Sequence, residues 1–119
     1  MTIDNRLARV VEAARSRKAA GIRILDVAKV ASFADTFAFM SGTSDRQNRA
    51  IAEAIFEALK VEGERPMAWE GEDVGKWILM DYGDLIIHVM DEPTRNHYRL
   101  EELWSDGTEL ELPEDDVGR

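Results

Sequence analysis

Cysteine is absent from the 119 residues, which removes disulfides, zinc–thiolate centres, iron–sulfur clusters and cysteine nucleophiles at once. Histidine is scarce. His88 and His97 lack the i, i+4 spacing of a helical zinc pair, and no Gly-x-Ser-x-Gly elbow offers a serine nucleophile. No apolar run approaches the ~20 residues that span a bilayer, and Met1-Thr2-Ile3-Asp4-Asn5 lacks the charged-then-apolar pattern of a signal peptide, so a cytosolic setting is expected. Positive charge is also short: fifteen Lys and Arg stand against twenty-four Asp and Glu, a net charge of -9. That balance argues against general binding to a phosphate backbone, and no direct nucleic-acid readout is expected. It suits a basic partner, because opposite potentials steer docking.

The chain is long enough for one packed core and too short for two. Charge is uneven along it. Residues 1–23 carry six bases and two acids, whereas residues 106–119 carry six acids and only Arg119 in return. The second stretch has no aromatic residue, so the reading is a folded domain over residues 1–105 and a flexible, solvated acidic tail over 106–119.

Leu7, Val10, Val11 and Ala14 repeat at the spacing of one helical stripe, with Gly21 as its expected stop. Residues 22–27 and 35–41 read as strands. Ser44-Asp45-Arg46-Gln47 is a capping box opening a helix whose buried stripe is Ile51, Ile55, Ala58 and Leu59, ended by Gly63. A strand at residues 66–70 follows, and a right-handed crossover would make it a parallel neighbour or near neighbour of strand 35–41. Residues 76–90 read as a hairpin around Tyr82-Gly83. A two-residue loop would pair Asp81 with Asp84, Leu79 with Ile86, and Trp77 with His88. One face then holds Ile78, Met80, Leu85, Ile87 and Val89, which must be core. The other holds Trp77, Leu79, Asp81, Asp84, Ile86 and His88. A last helix follows Pro93, with Tyr98, Leu100, Leu103 and Trp104 as anchors. The fold class is α/β (α+β): a single domain with a mixed sheet of about five strands flanked by helices.

Reaction chemistry has few footholds. Ser41-Gly42-Thr43-Ser44 lies where a helix N-terminus could hold a phosphate, but it lacks the Gly-Lys pattern of a nucleotide loop. Asp81 and Asp84 could hold magnesium only if they converged, and turns favour Asp at such positions anyway. His88 fits a polar surface or a capped core position better than a general base. Trp69 and Trp77 flank the acidic loop Glu70-Gly71-Glu72-Asp73-Val74-Gly75, and aromatic residues with polar neighbours make interface hot spots. The sequence favours a recognition surface, with no metal and no cofactor.

Three blocks then carry a resemblance. Ile24-Leu25-Asp26-Val27 with Asp35-Thr36-Phe37 through Ser41-Gly42-Thr43-Ser44-Asp45-Arg46-Gln47 is similar to the first signature of the ribosomal silencing factors, the Iojap-related proteins. Glu70-Gly71, Gly75-Lys76-Trp77-Ile78-Leu79-Met80-Asp81-Tyr82-Gly83-Asp84 and His88-Val89-Met90 resemble the second. Arg95-Asn96-His97-Tyr98-Arg99-Leu100-Glu101-Glu102-Leu103-Trp104 resembles the closing helix. Thr36 stands where the family often has Tyr.

The resemblance implies a nucleotidyltransferase-like fold without the metal-binding carboxylates, and a protein that is no enzyme. It implies docking on the large ribosomal subunit through large-subunit ribosomal protein number fourteen, near the intersubunit face. Subunit joining would be blocked sterically and translation lowered when nutrients are short, and the free protein would form a homodimer. On this reading the mixed hairpin face makes the contact. Trp77 is the anchor, Asp81 and Asp84 pair with Lys or Arg of the partner, His88 packs beside Trp77, and Glu70 and Tyr82 assist. The competing readings are a small nucleotidyl- or phosphoryl-transferase using residues 41–44 with Asp81 and Asp84, and a plain dimerisation module.

Overall fold

In the computed structural model, which describes residues 3–114, the elements run α1 (Asn5–Ser16), β1 (Ala20–Asp26), β2 (Thr36–Ser41), α2 (Asp45–Val61), β3 (Ala68–Glu70), β4 (Trp77–Asp81), β5 (Leu85–Met90), α3 (Glu92–Tyr98), α4 (Leu100–Leu103) and β6 (Thr108–Glu109). The six strands form one mixed sheet in the order β3-β4-β5-β2-β1-β6. Only β2 and β5 pair in parallel, and the other neighbours are antiparallel. The crossover through α2 does make β3 parallel to β2, but β4 and β5 lie between them. The hairpin is the cause, because it takes the place beside β2.

Helices α1, α2 and α3 each start where a side chain satisfies a free helix amide. The Asp4 carboxylate accepts from Leu7 N at 2.8 Å, and the Ser44 hydroxyl accepts from Gln47 N at 3.0 Å. Gln47 does not return to Ser44. Its carbonyl accepts from Thr43 N at 2.6 Å, while its amide donates to the carbonyls of Arg17 and Lys18, tying the start of α2 to the end of α1. Nor does Gly21 stop α1, which ends at Ser16. Gly21 instead takes a positive φ of 59° where the β1–β2 register shifts, so it forms a bulge.

The sheet has two unlike faces. Both long helices cover the first, burying Leu7, Val10, Val11 and Ala14 of α1 and Ile51, Ile55 and Leu59 of α2 against Ile24, Met40, Ile78, Met80, Leu85, Ile87 and Val89. The second is covered only by residues 27–34 and the two short C-terminal helices, around Leu25, Phe37, Phe39, Ile86 and Met90. Residues 106–119 do not form a wholly solvated tail. Thr108–Glu109 is a sixth strand, paired with β1, and Leu110 reaches the helix-side core with Leu112 packed against it. Two leucines in an acidic run supply enough apolar area to hold that edge. The remainder of that stretch, 115–119, lies outside the described residues.

The hairpin register differs from the two-residue loop by two places: Asp81 pairs with Ile86, Leu79 with His88, and Trp77 with Met90. Tyr82 N donates to Leu85 O at 2.8 Å and Gly83 N to the Asp81 carboxylate at 2.8 Å, which closes a four-residue turn. A shift of two leaves the side chains of β4 and β5 on their expected faces, and Asp84, in the turn, is the exception. The 71–75 loop before β4 is similarly constrained. Gly71 has φ 86°, and a Cβ there would overlap the Trp77 carbonyl oxygen. Gly71→Ala is therefore expected to cost about 2 kcal/mol of stability, read by urea denaturation.

Candidate functional site

Strand alternation puts Trp77, Leu79 and Asp81 of β4 on the second face, opposite Met90, His88 and Ile86 of β5. Aromatic rings continue from there across the sheet. Tyr98 lies against Trp77 with ring centroids 4.8 Å apart. The Trp77 Nε1–H donates to His88 Nδ1 at 3.1 Å. His88 stacks on Phe39 at 5.0 Å, with planes 11° apart, and meets the edge of Phe37. Phe37 continues to Trp104 at 5.2 Å, and Trp104 to Phe33 at 5.7 Å. The belt is buried in its middle and open at its ends, where Tyr98 is 53% and Phe33 58% exposed, with Leu103 at 70%.

His88 is only 7% exposed, and burial pushes its pKa down from 6.5 to about 4. It is therefore neutral at physiological pH. With Nδ1 accepting from Trp77, its proton sits on Nε2, and the ring acts as a fixed acceptor that sets the indole plane.

The other expected contact residues divide. Asp81 is half-buried on the Trp77 face and caps its own turn. Glu70 is exposed at the end of β3, opposite Leu79, and so shares that face. Asp84 is held from the other side: Arg6 of α1 donates to both its oxygens, at 2.7 and 3.1 Å, and holds its carboxyl below the usual range. Tyr82, a weaker contact candidate, turns onto the helix face and is 8% exposed. Its phenol has no partner, and burial together with Glu64 pushes its pKa up to about 12. Trp69 also faces the helices, against Phe56 at 5.0 Å. Sequence reading passed over Tyr98 as a contact residue because it took residues 95–104 as one helix. Arg99 instead adopts φ 50°, breaks the helix between Tyr98 and Leu100, and leaves Tyr98 beside Trp77.

The features suggestive of catalysis are occupied by structure. Gly42 N donates to the Asn48 side chain at 2.9 Å and Thr43 N to Gln47, so two amides of the 41–44 loop that a phosphate would use are already engaged. Asp81 and Asp84 are bonded in different directions and do not converge. Among the described residues no three His, Asp or Glu side chains are grouped to hold a metal ion.

Fold and surface together define a small α+β domain whose conspicuous feature is a belt of aromatic side chains on a thinly covered sheet face. A family model, "Ribosomal silencing factor during starvation", matches residues 1–118. The chain is 35% identical over 96 residues to the ribosomal silencing factor RsfS of Bacillus subtilis, covering 81% of each. A crystal structure of a protein from Chromobacterium violaceum superposes with a TM-score of 0.83 at 32% identity, over 99% of this chain and 95% of that one. Mouse "mitochondrial assembly of ribosomal large subunit protein 1" is 31% identical over 99 residues, 81% of this chain and 43% of its own length. The chain belongs to the ribosomal silencing factor family.

Proposed function

We propose that this protein binds the large ribosomal subunit through a ribosomal protein near the intersubunit face, large-subunit protein number fourteen, and blocks subunit joining sterically. Translation then falls under nutrient limitation without any chemical step. The observation that carries the reading is the Tyr98–Trp77 pair, a half-buried indole with an exposed phenol packed against it, on a sheet face that also carries Glu70 of β3 and, at the far end of β4, Asp81. That is the make-up of an interface hot spot for a basic partner. The net charge of -9 supplies the steering. The name of the mouse relative, which assigns that protein to large-subunit assembly, agrees with the choice of subunit. The protein acts in the cytosol, and the free chain forms a homodimer.

Co-sedimentation with purified large and small subunits tests this. Binding to the large subunit alone is expected, weakening as salt rises because the Debye length shortens from ~10 Å at 0.1 M to ~3 Å at 1 M. Binding to neither subunit overturns the reading.

A further inference from the structure

Helix α3 carries Tyr98, yet none of its residues is buried and none joins either hydrophobic cluster. Apolar packing therefore does not fasten it. Among its side chains, Arg95 is the one hydrogen-bonded to the sheet. Its Nη1 donates to the Ser41 hydroxyl of β2 at 2.9 Å, and its Nη2 to the Gly21 carbonyl of β1 at 2.6 Å. The other edge of the guanidinium donates to the Glu101 carboxylate of α4, Nε at 2.7 Å and Nη2 at 2.9 Å. Arg23 of β1 donates to the same carboxylate at 3.1 Å.

Three observations set this pair apart. The Arg95 and Glu101 side chains are 11% and 14% exposed, whereas the paired cations Arg6, Arg9, Arg23, Lys76 and Arg99 are each at least 24% exposed. Glu101 lies six residues after Arg95, a spacing that a continuous helix would put on different faces. The pair forms because Arg99, at φ 50°, breaks the run between them. Gly21 leaves the room: a Cβ there would stand 2.9 Å from Arg95 Nη1.

A nearly buried ion pair adds little net stability over apolar side chains of the same volume, and its better-attested use is to select one arrangement among several. The arrangement selected here is the seat of α3 on the sheet, which sets the Tyr98 ring 4.8 Å from Trp77. Tyr98 is itself exposed, so burial of its own ring does not fix it there.

We infer that Arg95 and Glu101 are positioning residues for docking: clamped on Gly21 and Ser41, they hold Tyr98 against Trp77 and do not touch the partner themselves. The inference rests on the docking reading above.

The test is a mutant cycle. Arg95→Met, Arg95→Lys and Tyr98→Ala are made singly, and each Arg95 change is also combined with Tyr98→Ala. Affinity for large subunits, thermal midpoint and amide hydrogen exchange are measured for all of them. Tyr98→Ala is expected to bind about tenfold more weakly. Arg95→Met should lose a similar factor, and the double variant no more than Tyr98→Ala alone, because both changes remove the same contact. Arg95→Lys keeps the charge but not the planar fork, so it should lose part of the affinity. It decides the matter if Arg95→Met does not fold. In both Arg95 variants the amides of residues 92–104 should exchange about tenfold faster or more, with those of β2 and β5 unchanged.

Parent affinity and parent exchange in the Arg95 variants overturn the inference. A loss that persists in full on the Tyr98→Ala background overturns it too, since Arg95 would then act on the partner directly or through the fold at large. So does a Tyr98→Ala chain that binds like the parent, which would leave the clamp nothing to position. In all three cases binding by the parent leaves the docking reading standing. A parent chain that binds no subunit removes that reading and this inference with it.

Discussion

Trp77→Ala is expected to weaken binding to the large subunit by between about thirtyfold and several hundredfold, the equivalent of ~2–4 kcal/mol for a central interface tryptophan. The chain should remain folded, because Trp77 packs at the edge of the second cluster and not within it. Its loss leaves His88 Nδ1 without its donor, a cost of about 1 kcal/mol in stability that water entering from the open side reduces. Trp77→Phe separates the two contributions. It retains a ring against Tyr98 but no N–H for His88, so affinity should fall between the two extremes. Asp81→Asn, at the rim, should cost under ~1 kcal/mol in affinity. Asp84→Asn should show its effect in thermal stability, since its carboxylate is paired with Arg6 of the same chain. Sedimentation of each variant with large subunits, alongside its melting curve, decides the matter. A Trp77→Ala chain that binds like the parent, or that does not fold, removes this face as the docking surface.

The sequence already showed which side chains share a face, because period-two alternation survives an error of two in register. It could not show the register itself: Tyr82-Gly83 resembles a two-residue turn, and only the Tyr82 N–Leu85 O bond reveals four. The helices on the first face were legible from the 3.6-residue stripe. The second face was not, since its cover comes from a loop and two one- or two-turn helices without a stripe to read. Arg99 is the instructive residue there. An arginine at φ 50° breaks a run that composition alone reads as continuous helix, and with it goes the expected burial of Tyr98 and Leu103. Asp84 shows a similar limit: it pairs with Arg6, 78 residues away, and no local pattern announces a contact at that separation. Leu110 and Leu112 were overlooked because the acidic residues around them dominate any window average.

The second large effect concerns acid. His88 is enclosed by Phe39, Phe37 and Trp77, with its Nδ1 lone pair committed to the indole N–H. Protonation would bury a charge and set two donors against each other, which is why its pKa lies near 4 and not at 6.5. Between those values the unfolded chain takes up a proton that the folded chain refuses, so stability falls as pH falls, by about 1.4 kcal/mol per pH unit. The loss begins near pH 6.5, reaches about 2–3 kcal/mol by pH 4.5 and levels off once the folded state also protonates. For a domain of this length that corresponds to a drop in melting temperature on the order of 10 °C. Carboxylates titrate in the lower part of the same window, so the comparison is with His88→Asn, whose amide oxygen can accept from Trp77 but does not titrate. That variant is expected to start less stable at pH 7, having lost part of the stack on Phe39, and to lose less between pH 6.5 and 4.5. Parallel curves would mean that His88 is hydrated and charged in the native state. The same neutrality makes the Trp77 indole a fixed feature from pH 6 to 8. Any pH dependence of docking in that range must then come from outside the Trp77–His88 pair.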